Sequence, residues 1–154
     1  HHLRADEIDD LEATIAAGTG VDLAGDTYEM VELGDESFGV VLVDDNPDVV
    51  RFDDGEAFLT VQGANRHEPT TGIVTVDAGA ISFVSDGADV MRPGIVEADA
   101  EIGAGDLVTV AEETHGKTLA IGRALVDGPE MVGESGKVVE SIHHVGDDLF
   151  QFSV

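Results

Sequence analysis

The feature that most restricts the fold is a close succession of short β-type segments. TYEMVEL, FGVVLV, DVVRF and AFLTV are rich in β-branched and aromatic residues, and the turn sequences GDES, DDNP and DDGE separate them. This spacing is typical of hairpins, so residues 27–61 are predicted to form an antiparallel meander. The preceding ADEIDDLEATIAAG spaces Ile8, Leu11 and Ile15 at helical intervals, which predicts one helix that stops at Gly18.

The pattern changes at QGANRHEPTTG, residues 62–72, which is polar and has no periodic apolar positions. We expect a domain boundary there, with one domain over residues 3–70 and another over residues 71–154. In the second domain IVTV, DVMRPGIV, DLVTVAEE, TLAIGRALV, KVVESIHHV and LFQFSV predict strands. DAGAISFVSDGA, capped by Asp77, and GPEMVGES predict two short helices.

These elements predict an α+β fold. A small N-terminal α+β domain precedes a compact, barrel-like sheet of about six short strands with two short helices. Phe83, Phe150 and Phe152 are assigned to its core.

The large negative charge is carried by the surface of a folded protein. Asp and Glu number 33 against 7 Lys and Arg, a net charge of -26, yet 42% of residues are hydrophobic and mean hydropathy is +0.05. Such a surface repels itself in dilute buffer, whereas molar salt shortens the Debye length to about 3 Å. We therefore interpret the acidity as that of a halophile's cytoplasmic protein.

The chain also lacks the signals of an exported or membrane protein. It contains no cysteine for a disulfide or a thiolate zinc site. No apolar run approaches the roughly 20 residues of a spanning helix, and no signal peptide is recognisable. We expect a soluble, intracellular protein with no membrane partner.

Catalytic and metal-binding motifs fail at specific positions. DDNPDVV resembles the start of an EF-hand loop, but Val49 stands where glycine is needed. GESGKV resembles a phosphate-binding loop, but Val138 replaces the Ser or Thr that holds magnesium. The adjacent His143 and His144 face opposite sides of a strand, so we expect one inside and one solvated, and no shared ion. No catalytic residue, metal ligand or cofactor is predicted.

Four segments carry a family resemblance. GADVMRPGI, GDLVTV, TLAIGRALV and GKVVESIHHVGDDLFQF occur in this order and together resemble a PUA domain, the RNA-binding module named after pseudouridine synthases and archaeosine transglycosylase. The resemblance extends to archaeal stand-alone PUA proteins related to the malignant T-cell-amplified-sequence family, which carry an α+β pre-PUA domain first. It covers about residues 73–152, and residues 62–72 depart from the apolar, helical lead-in expected before the module. It implies a pseudo-barrel that binds structured RNA, commonly tRNA, in translation or RNA modification.

Arg92 is the main candidate for an RNA contact. Only four cations follow residue 72, namely Arg92, Lys117, Arg123 and Lys137. The Pro93-Gly94 turn beside Arg92 could present backbone groups to a nucleotide, and its planar guanidinium suits phosphate or a base. The alternative is an ion pair of Arg92 with Asp89 or Glu97.

The other cations leave alternatives open. Arg123 can contact RNA or form a structural ion pair, Lys137 can meet a phosphate or be a plain turn residue, and Lys117 is expected to be solvated. The predicted RNA-binding residues are Gly87, Ala88, Val90, Met91, Arg92, Pro93, Gly94, Arg123 and Lys137.

The scarcity of cations limits the mechanism. Counterion release contributes little in concentrated salt, so recognition must depend on shape, backbone hydrogen bonds and 2′-hydroxyl contacts, and no DNA partner is expected. The leading hypothesis is a non-catalytic protein that binds tRNA or rRNA in translation or tRNA handling. The alternatives are an adaptor that docks on the small ribosomal subunit or an initiation factor, and an accessory module of an RNA-modifying enzyme.

Overall fold

The computed structural model describes residues 1–33 and 38–153. Its first half is one helix and a four-stranded antiparallel sheet in the order β1-β2-β3-β4. The elements are α1 (Ala5–Thr19), β1 (Tyr28–Glu32), β2 (Phe38–Val43), β3 (Asn46–Phe52) and β4 (Ala57–Leu59). The predicted meander is confirmed for the DDNP and DDGE turns, whereas GDES lies outside the described residues.

The helix α1 ends later than the sequence predicts. Gly18 is its penultimate residue, and Gly20 adopts the left-handed conformation (φ 72°), its amide donating to the Ala16 carbonyl. A glycine in that conformation ends a helix at low steric cost. Leu11 and Ile15 are buried as predicted.

The second half is a six-stranded sheet that forms a nearly closed pseudo-barrel, as predicted. Its order is β6-β10-β9-β8-β5-β7; β5 and β8 pair in parallel, and the other neighbours are antiparallel. The elements are β5 (Ile73–Val76), α3 (Ile81–Ser85), β6 (Val90–Met91), β7 (Ile95–Ala98), β8 (Leu107–Glu112), β9 (Thr118–Ala124) and β10 (Lys137–His144). Asp77 caps the 3₁₀ turn before α3, and a second 3₁₀ turn, Arg92–Gly94, joins β6 to β7.

Two predictions of local structure were wrong. The polar segment after residue 61 begins with a helix, α2 (Val61–His67), whose first turn is capped by the Thr60 hydroxyl. LFQFSV forms turns over its described residues, where the Gln151 amide donates to Asp147 and the Phe152 amide to Leu149.

The helix α2 joins the two halves. The amide of Val61 donates to His143 in β10, and the Asn65 side chain exchanges two hydrogen bonds with Thr118 in β9. A hydrophobic cluster also draws residues from both halves: Val40, Leu42, Val50, Phe58, Val61, Leu107, Ile121 and Leu149. Because this core is shared, the first sheet and the pseudo-barrel pack directly on one another.

Candidate nucleic-acid interface

Strand pairing brings most of the predicted RNA-binding residues together. Met91 pairs with Lys137 across β6 and β10, and the Arg92 amide donates to the Gly136 carbonyl at 2.9 Å. The loop from residue 130 to residue 136 therefore lies beside the Arg92–Gly94 turn. We call these two segments, with α3 and residues 86–91, the turn surface.

The Arg92 side chain organises the turn surface. Its Nε donates to the Glu130 carbonyl and its Nη1 to the Ser135 carbonyl, both at 2.9 Å. A Cβ on Gly133 or Gly136 would come within 2.9 Å of the Arg92 side chain, so the lack of a side chain at these positions leaves room for it. Among the described residues, Arg92 forms no ion pair with Asp89 or Glu97, and Asp89 pairs with Lys137 instead. Within residues 1–33 and 38–153, its charge is met only by neutral carbonyls, and Nη2 makes no hydrogen bond.

The backbone before β6 is less open than the sequence suggested. The amides of Gly87 and Ala88 donate to the carbonyls of Val84 and Phe83. Gly87 has φ 95°, and a Cβ there would lie 2.7 Å from Nε2 of His144. Val90 is only 3% exposed and belongs to the pseudo-barrel core, so its side chain cannot reach a ligand.

The other two cations among the predicted RNA-binding residues, Arg123 and Lys137, have acidic partners. Lys137 lies 3.3 Å from the Asp89 carboxylate, and its side chain stays about half exposed. Arg123 contacts both carboxylate oxygens of Glu56, at 2.7 and 3.2 Å, and the Gly105 carbonyl at 2.8 Å. Since Glu56 belongs to the first half of the chain, Arg123 ties the two halves together, and none of these hydrogen-bond partners belongs to the turn surface.

An apolar depression lies beside the Arg92–Gly94 turn. Its volume is about 360 Å³, and its lining includes Ala80, Phe83, Met91 and Pro93. Phe83 is 66% exposed and Met91 48%, so the assignment of Phe83 to the core was wrong. The buried face of α3 carries Val84 instead. Exposed aromatic and thioether groups at an apolar depression suit base stacking more than phosphate clustering.

The prediction of one buried and one solvated histidine at the end of β10 is confirmed for the buried one only. His143 is 2% exposed and hydrogen-bonded on both ring nitrogens, whereas His144 is half-buried. Within residues 1–33 and 38–153, no group of three or more acidic or histidine side chains could hold a metal ion. None of the helices described there is long and apolar enough to cross a bilayer.

Comparison with known proteins identifies the family. Residues 72–146 match the sequence profile of the PUA domain. The chain is 40% identical over 118 residues to uncharacterized protein MJ1432 of Methanocaldococcus jannaschii, a match covering 76% of this chain and 72% of that protein. The chain belongs to the PUA-domain proteins. The expected resemblance is confirmed, and the pseudo-barrel is the PUA domain, a known RNA-binding fold.

Two solved structures share the fold of this chain, and one further relative is named for translation. The crystal structure of hypothetical protein PH0734.1 from Pyrococcus horikoshii OT3 has a TM-score of 0.87 at 34% identity and covers 98% of this chain and 97% of that one. A conserved PUA-domain protein from Thermoplasma acidophilum has a TM-score of 0.83 at 30% identity, with the same coverage. Translation machinery-associated protein 20 of Saccharomyces cerevisiae is 39% identical over 88 residues, which cover 53% of this chain and about half (49%) of that protein.

Proposed function

We propose that this protein is a non-catalytic RNA-binding protein of the translation apparatus, and that structured RNA such as tRNA or rRNA binds at the turn surface. The observation that carries the proposal is the pair of exposed side chains, Phe83 and Met91, that line an apolar depression next to the Arg92–Gly94 turn of the PUA domain. The name of the yeast relative supports a place in translation. Residues 3–70 would act as a pre-PUA domain, and residues 71–154 as the RNA-binding domain.

Each group has a defined task in this proposal. The Phe83 ring and the Met91 thioether give an unpaired base a face on which to stack, which does not require bulk positive charge. The free Nη2 of Arg92 donates to a phosphate or a base edge, while its two carbonyl bonds hold it in place. Lys137 supplies a second, partly neutralised charge, and exposed Ala88 and Pro93 form the rim of the contact.

Arg123 is left out of this interface because Glu56 and Gly105 occupy its guanidinium. Val90 supports the turn surface from the core beneath it. Gly87 and Gly94 shape the turn surface through their backbone conformation. Gly94 accepts the Asp77 amide and lies close to Ala80, so it fixes the turn against the start of α3.

Binding of unfractionated tRNA in molar KCl tests the proposal. Stacking of one base on an aromatic side chain contributes about 1–3 kcal/mol, so Phe83→Ala should raise Kd by about 5- to 150-fold. Arg92→Gln should also weaken binding. Ile142→Ala, which removes an exposed apolar side chain from a different groove, is the matched control and should bind normally.

The fold should survive both changes at the turn surface, and circular dichroism checks this. Normal tRNA and rRNA-fragment affinity in Phe83→Ala and Arg92→Gln would exclude the turn surface as the RNA site. A wild-type protein that binds neither RNA but retains a nuclease-resistant protein partner would support the adaptor hypothesis instead.

A further inference from the structure

The adjacent histidines of β10 connect two parts of the molecule that do not share a strand. On one face, Nε2 of His143 accepts the Val61 amide of α2 at 2.9 Å, and its Nδ1 lies 2.9 Å from both oxygens of Asp147. An amide can donate only to an unprotonated nitrogen, so Nδ1 carries the ring proton and donates it to Asp147. His143 is therefore neutral while α2 is docked.

His144 contacts the turn surface from the opposite face of β10. Its Nδ1 lies 3.0 Å from the Ser85 carbonyl at the end of α3 and 2.9 Å from the Val145 carbonyl, so Nδ1 is the donor. The other side of its ring lies against Gly87, whose missing Cβ leaves room for it. The backbone position of residues 85–88 therefore depends on where the His144 ring lies.

Asp147 links the two histidines. Besides the His143 ring, its carboxylate accepts the amides of His144 and Phe150, each at 2.8 Å. Burial alone would raise the pKa of Asp147, but the hydrogen bonds from His143 and the two amides outweigh it and hold the pKa below the usual value. A displacement of His143 thus also moves an acceptor of the His144 backbone.

We propose that His143 and His144 are positioning residues for RNA binding, which couple the docking of α2 to the shape of the turn surface only while His143 is neutral. The proposal rests on the turn surface as the RNA site. Protonation places a hydrogen on Nε2, which lies only 2.9 Å from the Val61 nitrogen, so the two hydrogens would collide and α2 must withdraw. The Val61 amide loses its acceptor, while the His143 cation stays with Asp147.

The groups around His143 fix the direction of the pH dependence. Asp147 and the exposed Asp148 are the charged side chains that line the same groove, and both favour the cation. Leu33, Phe38, Val50 and Phe52 of the first sheet are uncharged, and α2 presents only its backbone amide and Gln62. Docking of α2 is therefore complete when the imidazole is neutral and is lost when Nε2 gains a proton.

At the other end of α2, a positive charge on His67 would have the opposite consequence. Its Nε2 lies 2.8 Å from the buried Asp48 carboxylate, so protonation strengthens that contact. A loss of docking in acid therefore originates at the Val61 end of the helix.

Amide hydrogen exchange of the full chain in 2 M KCl tests the coupling without RNA. The protection of the Val61 amide, corrected for intrinsic exchange, should fall about 5- to 100-fold between pH 7.5 and pH 5.5, as expected for a buried donor that loses its acceptor. The Gly87 amide resonance should shift with the same midpoint. His143→Gln cannot be charged but keeps an acceptor for Val61, so its protection should not depend on pH.

Two further variants separate coupling from general damage. His143→Asn is too short to reach Val61, so protection should be low at both pH values. His115→Gln removes an exposed histidine and should behave as wild type. Equal Val61 protection of the wild type at both pH values, or the same acid loss in His143→Gln, would overturn the proposal.

Binding of unfractionated tRNA distinguishes this proposal from the proposed function. The wild-type affinity should fall at pH 5.5 and that of His143→Gln should not. If tRNA binds with the same affinity at both pH values while Val61 protection falls, the coupling is wrong and the RNA site stands. If tRNA does not bind at either pH but Val61 and Gly87 titrate together, the coupling stands and the proposed function fails.

Discussion

Replacement of Arg123 with glutamine distinguishes a structural role of this cation from an RNA contact. The guanidinium makes two hydrogen bonds to the Glu56 carboxylate and one to the Gly105 carbonyl. Breaking a fully buried ion pair costs about 3–5 kcal/mol, whereas an exposed pair contributes about 0–1 kcal/mol. The two side chains are 34% and 39% exposed, so after solvent screening we expect Arg123→Gln to lower the free energy of unfolding by about 1–2 kcal/mol.

Urea denaturation in 0.5 M and 3 M KCl measures this effect. The loss should be smaller in the higher salt, because ions screen partly exposed pairs. A double-mutant cycle with Glu56→Gln should give a coupling energy of about 1 kcal/mol. Lys117→Gln removes the same charge from an exposed hairpin and is the matched control. If Arg123→Gln left stability unchanged and weakened tRNA binding, the structural assignment would be refuted.

Two further predictions address the first half of the chain. Tyr28, the only tyrosine, has its pKa raised to about 12 because burial, and then its hydrogen bond to Glu12, oppose ionisation. The phenol absorbance at 295 nm should titrate near pH 12 in the folded protein. Because the unfolded chain ionises at a lower pH, the free energy of unfolding should fall as pH rises above about 10. A phenol titration midpoint near pH 10 in the folded protein would contradict the structure. Gly63→Ala places a Cβ 2.1 Å from the Asp48 carbonyl oxygen. Although alanine has the better helix propensity, this clash should lower the free energy of unfolding, measured by thermal denaturation, by about 1–3 kcal/mol. Gly79→Ala, which meets nothing closer than 3.4 Å, should be close to neutral, and equal melting of the two variants would argue against docking of α2 on β3.

Local sequence signals predicted most of the strands. The β8–β9 and β2–β3 hairpins follow from β-branched runs on either side of polar turns, and the antiparallel pairing is as expected. The helix α2 was missed because it buries Gly63 and Ala64, small residues that do not register in a search for large apolar side chains.

The site could be predicted only in part because its partners are distant in sequence. Arg92 was assigned to a turn correctly, but its carbonyl partners lie 38 and 43 residues further along the chain. The pairing of Arg123 with Glu56 spans 67 residues, so composition alone could not choose between its two alternatives. Phe83 was misassigned because an aromatic residue was taken as core, although its neighbour Val84 occupies the buried face of α3.

The hydrophobic cluster formed by both halves has a consequence for how such a module could be inherited. Leu107 and Ile121 belong to the pseudo-barrel, yet Phe58 and Val61 from the first half help to cover them. A gene fusion that carried this barrel alone to a new enzyme would expose these apolar side chains to solvent. Stable folding would then require polar replacements or a different domain packed over them. A PUA domain that occurs without this first half must therefore cover or replace these apolar residues in another way.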